Sequence, residues 1–191
     1  MPIKSIFSVI AGLLYIIAFG FYIRAILRNE IKPAKASWLI WATLNTIIIA
    51  GMYAEGSVNG QIVGALIGGW VTVVLVLKRG TPGWSTLDKF SLSGAGLGIV
   101  LWQVFNDPIL GIMISLVVTF IGAIPTFVSA WRDPSREDKV AWTIFESSCI
   151  FALPAIPAWT LADAAQPLTF FTIQTIMMYL LYIRPRWKKN N

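Results

Sequence analysis

The chain has 191 residues, of which 57% are hydrophobic and only 13% charged, and its mean hydropathy of +0.72 excludes an ordinary water-soluble domain. Its net charge of +6 does not mark a nucleic-acid-binding protein, because the basic residues are segregated by loop in the way a membrane protein requires. One cysteine and no histidine exclude an internal disulfide and a zinc or iron–sulfur centre, so no cofactor is expected.

Apolar runs of about 20 residues, enough to cross roughly 30 Å of hydrocarbon at 1.5 Å per residue, recur along the whole sequence. Seven spans are predicted, at 6–23, 37–53, 61–77, 90–105, 109–131, 140–159 and 168–183. The first has no small-residue cleavage site and reads as a retained helix rather than a signal peptide. Fourteen of the 15 basic residues fall after spans 1, 3, 5 and 7, and only Lys4 falls on the other side. The positive-inside rule then puts the N-terminus outside a cell (inner) membrane and the C-terminus in the cytoplasm.

An odd number of spans invites a search for duplication. An offset of 101 lays Phe19 on Phe120, Ile23 on Ile124, Pro33 on Pro134, Lys35 on Arg136, Trp41 on Trp142 and Asn45 on Glu146, without a gap. In both halves a span ends in a basic loop with a proline, a tryptophan follows eight residues later, and a hydrogen-bonding residue comes four beyond, on the same helix face. The expected architecture is an all-α integral membrane protein of two parallel three-helix bundles joined by a linker helix, with repeats at 1–80 and 108–191 and the linker at 81–107. Three crossings reverse the side of the membrane, so two parallel copies need one more crossing between them. Gly60, Gly64 and Gly68 form a small-residue stripe on span 3, which suits it to the middle of its bundle.

This arrangement resembles the SWEET and PQ-loop transporter superfamily over nearly the whole chain. The local signature, a proline followed by a polar residue near the cytoplasmic end of the first helix of each repeat, is matched by Pro125 and Thr126 in "IPTFVSAWRDP". The first copy, "YIRAILRNEIKP", has Arg24 and Ala25 there, leaving Gly20 as the bending point of span 1. The resemblance implies hinges at these positions, alternating access between the repeats and a small polar solute, with a sugar as the first expectation. The loops "RNEIKPAKASWLIW" and "WRDPSREDKVAW", one in each half, look more like those of a prokaryotic branch than of plant sugar facilitators.

The candidate solute site consists of Trp41, Asn45, Trp142, Glu146, Ser148 and Gln174. Indole rings offer flat apolar surface to a sugar face or an aliphatic group, and amide and carboxylate groups bind hydroxyls or an ammonium. Asn45 and Glu146 occupy equivalent repeat positions at similar depth and are expected to face each other, and span 3 offers no mid-span amide. Glu146 has two readings: a cavity carboxylate that exchanges protons, or a hydrogen-bonded tie between helices. Trp41 and Trp142 are likewise pocket or packing residues. Pro154 is a gate or a bend in span 6, and the acidic residues Asp133, Glu137 and Asp138 form a gate or a solvated loop. Partners are a small solute and the bilayer, not nucleic acid, with self-association left open. No paired carboxylates or nucleophile–base pair point to an enzyme, and no lysine in a span interior is available for a retinal. The alternatives are a non-transporting receptor or interaction protein on the same fold, and a proton-coupled amino-acid or vitamin transporter.

Overall fold

The computed structural model describes residues 3–31, 33, 35–79, 83 and 86–184, so the basic tail beyond Arg184 lies outside the described residues. Most of these are helical, with no strand among them: α1 (Ile3–Leu27), α2 (Lys35–Ala54), α3 (Gly60–Arg79), α4 (Thr86–Phe105), α5 (Pro108–Arg132), α6 (Lys139–Ala155) and α7 (Leu161–Met178). A short 3₁₀ turn at Pro134–Arg136 precedes α6, and a π-helical turn at Tyr179–Ile183 ends α7. Helices α1, α3 and α5 are long and apolar enough to cross a membrane. The protein is apolar on its outside as well as within: α1 buries Ala11, Tyr15, Ala18 and Phe19 while exposing Val9, Leu13, Ile16 and Ile17. An exposed aliphatic face of this kind is suited to lipid.

Following each helix to its packed neighbours closes a ring in the order α1, α3, α2, α5, α7, α6 and back to α1. Helix α4 lies outside it, against α5 and α2. Helices α1 and α3 run in the same sense, since Ser8 meets Gly60, Gly12 meets Gly64 and Phe19 meets Gly68. Helix α6 runs opposite to α1, because Ser148 reaches the Ala11 carbonyl while Phe145, a turn earlier, packs on Tyr15 and Phe19.

The glycine stripe sets the α1–α3 distance, and α3 does lie between α1 and α2. A Cβ on Gly64 would sit 2.8 Å from the Gly12 carbonyl oxygen and 3.1 Å from Tyr15 Cβ, too close for either to yield cheaply. Gly64→Ala is therefore expected to cost about 1–3 kcal/mol, measurable as a lower thermal unfolding midpoint in detergent. Gly20→Ala is the control, because nothing lies within 4 Å of the Cβ it would add.

The apolar runs located the helices well except around α6 and α7. The predicted sixth span extends to 159, but α6 stops at Ala155, with the Ile156 N–H turned back to the Leu153 carbonyl. Pro157, which has no N–H to donate, follows directly. Helix α7 begins at Leu161 rather than 168, because Thr160 caps it: the Thr160 hydroxyl accepts from the Asp163 N–H (3.2 Å) and donates to its carboxylate (3.1 Å). The residue spacing is that of a capping box, but the Asp163 carboxylate bonds the Thr160 hydroxyl and not its backbone N–H. Among the expected hinges, Gly20 lies on the exposed face of an uninterrupted α1, and α5 continues through 125 and 126. The side chain of Pro125 lies outside the described residues, and Thr126 is partly buried. Pro154 occupies the last turn of α6, the position of a helix end rather than a mid-span gate.

Candidate functional site

In a ring of six helices, a side-chain contact between two helices that are not ring neighbours must cross the interior. Three layers of such contacts lie one below another along α1. The uppermost is polar. Asn59, just before α3, donates to Gln166 Oε1 of α7 (2.8 Å), and Gln166 Nε2 donates to Gln61 Oε1 of α3 (3.0 Å). Gln61 Nε2 continues to Ser148 Oγ (3.2 Å) and Cys149 Sγ (3.1 Å) of α6. The Ser148 hydroxyl ends the chain on the Ala11 carbonyl of α1 (2.8 Å). Gln61, Gln166 and Ser148 are fully buried, and each donates within the chain, as buried amides and hydroxyls must.

One turn further along α1, Tyr15 Oη accepts from Gln174 Nε2 of α7 (3.4 Å), and its ring contacts Phe145 and Phe170 at centroid separations of 4.7 and 5.9 Å. Tyr15 is twelve residues from the start of α1, about 18 Å along its axis. Gln174 is 5% exposed, yet its Oε1 has no hydrogen-bond partner. A buried acceptor left unused costs about 1–3 kcal/mol unless something donates to it.

The third layer is aromatic. Phe19 of α1 meets Trp38 of α2 edge-on at 5.8 Å, Tyr22 lies tilted against Trp38 at 5.1 Å, and Trp41 abuts Trp38 at 5.4 Å. Below it, Glu137 Oε2 accepts from the Trp142 indole N–H (2.9 Å). Burial, opposed by that hydrogen bond and reinforced by neighbouring Asp138, raises the Glu137 carboxyl from its ordinary 4.5 to about 7.

Of the predicted site, Ser148 and Gln174 lie on the interior layers. Trp41 is partly buried and packs between the aromatic layer and the Ile40–Leu44–Ile47–Val118 cluster. Trp142 faces Ala130, Met177 and Leu181 with its N–H committed to Glu137, a packing and positioning arrangement. Asn45 lies against Gly69 of α3, whereas Glu146 lies in the α6–α7 seam, its Oε1 accepting from the exposed Thr175 hydroxyl (3.0 Å). Among the described residues no hydrogen bond joins the two: Asn45 lies beside α3 and Glu146 beside α7. For Glu146 this geometry matches the helix-tie reading, although its Oε2 is buried without a partner. The acidic loop is used in capping: Asp133 caps the 3₁₀ turn and Asp138 caps α6. Gln61 and Gln166 were missed. One stands at the edge of a predicted span and the other outside one, although a glutamine near the start of the third helix of each half was a legible signal.

No protein family, curated protein or solved structure matches this chain.

Proposed function

We propose that the chain is a seven-span transporter of the SWEET-like 3+1+3 design, moving a small polar solute by alternating access across a cell membrane. Its N-terminus lies outside and its C-terminus in the cytoplasm. The neighbour order α1–α3–α2 recurs as α5–α7–α6 with α4 outside, which supports two equivalent bundles. In this reading the amide chain is the outer closure, the Phe19–Tyr22–Trp38 layer is the inner one, and the solute passes Tyr15 and Gln174 between them. The observation that carries the proposal is the Gln174 amide, buried midway along the ring interior with an acceptor that nothing among the described residues uses.

Purified protein in proteoliposomes is expected to take up a member of a panel of monosaccharides and amino acids. Gln174→Leu is expected to lower that uptake about tenfold, the equivalent of one hydrogen bond to the solute, while lowering the unfolding midpoint by no more than the long 3.4 Å bond to Tyr15 Oη contributes. Folded wild-type protein that moves none of the panel under any gradient would remove the transport reading in favour of a receptor.

A further inference from the structure

Above the amide chain, at the Lys4 end of the ring, lies a cavity of about 280 Å³ whose lining includes Lys4, Ser8, Ser57, Asn59 and Asp163. That is just below the roughly 300–1,000 Å³ of pockets for drug-sized ligands, a volume for a smaller molecule. We propose that this cavity is a binding site for a small zwitterion of the α-amino-acid type, with Lys4 taking its carboxylate and Asp163 its ammonium.

Two features distinguish a zwitterion from a neutral polyol. The first is that one cation and one anion share the lining without pairing: no contact within 4.0 Å joins them, and the ion pair among the described residues is Arg28 with Glu30. Opposite charges that share a cavity but do not neutralise each other leave complementary partners for a molecule that carries both. The second is that both groups are already held in place. Lys4 Nζ donates to the carbonyls of Ile156 and Pro157, each at 3.0 Å, which the end of α6 leaves without helical partners. An ammonium has three donors, so one remains. Asp163 is fixed by its capping exchange with Thr160, which uses Oδ2 and leaves Oδ1 without a partner. Side chains immobilised beforehand lose little entropy when a ligand arrives. The Ser8 hydroxyl already accepts the Gly60 N–H (2.7 Å) and keeps its own proton to donate. Asn59 forms the floor and passes its contact directly to Gln166, so an occupant would touch the first link of the amide chain.

The proposal names the solute class for the transport reading and rests on that reading only for the consequence of binding. The test is thermal stabilisation and calorimetric binding of the full chain in detergent, with L-alanine, L-serine, propionate, ethylamine and glucose as probes. The expected result is saturable binding of the two amino acids and not of the other three, weakened at least tenfold by Lys4→Met and by Asp163→Asn, with Lys4→Arg retaining most of it. Asparagine keeps an acceptor for the Thr160 hydroxyl, so Asp163→Asn is expected to fold. Binding of glucose in place of the amino acids, no binding of either amino acid, or amino-acid binding unchanged in both charge variants would each overturn the proposal. Amino-acid binding in detergent without uptake in liposomes would leave the site standing and remove transport instead.

Discussion

Gln61→Leu is expected to destabilise the protein by about 2–4 kcal/mol, because it leaves buried partners with nothing to bond. Gln61 accepts from Gln166 and donates to Ser148 and Cys149, and it is fully buried. Leucine fills the volume, so the loss is polar rather than steric. The Gln166 amide then keeps the Asn59 donor at its oxygen but has no acceptor for Nε2. Replacing both glutamines by leucine removes both orphaned partners at that link, so the double variant is expected to lose less than the two single losses combined, with a coupling of about 1–2 kcal/mol. Unfolding midpoints of the four proteins in one detergent supply the cycle. Additive losses would show that the two amides do not act through each other.

The second expected result concerns pH. The Glu137 carboxyl is raised from 4.5 to about 7 by burial, so the folded protein holds this proton more tightly than the unfolded chain does. A carboxyl shifted upward in this sense adds stability that is complete below about pH 4.5 and is lost as pH rises through 7. The upper bound of the loss is about 3 kcal/mol, reduced by the exposure the side chain retains. The unfolding midpoint is therefore expected to fall between about pH 4.5 and 7.5 in the wild type and to flatten across that range in Glu137→Gln, which keeps an acceptor for the Trp142 N–H. A wild-type midpoint that rises over the same range would contradict the assignment.

The helices were legible because an apolar run of about 20 residues has few other uses, and the Gly60–Gly64–Gly68 stripe correctly marked α3 as the helix between two others. The start of α7 was hidden because its first turns, with Asp163, Gln166 and Pro167, have the composition of a loop. The capping exchange between Thr160 and Asp163 was the signal that hydropathy does not weigh. The site was only half legible for a related reason. Repeat symmetry relates Asn45 to Glu146 by position, but which seam each side chain enters depends on helix rotation, and no spacing in the chain encodes that. Trp142 was read as a pocket or a packing residue, and its partner, Glu137, belongs to the loop before it, where charged residues read as a gate or as solvated.

The thiol of Cys149 is fully buried and accepts from Gln61, the centre of the amide chain. It is also the only sulfhydryl in the sequence, so the wild-type protein contains its own chemical reporter. A membrane-permeant maleimide can alkylate it only when those helices part, so the labelling rate follows how often they separate, with no engineered probe and no competing background.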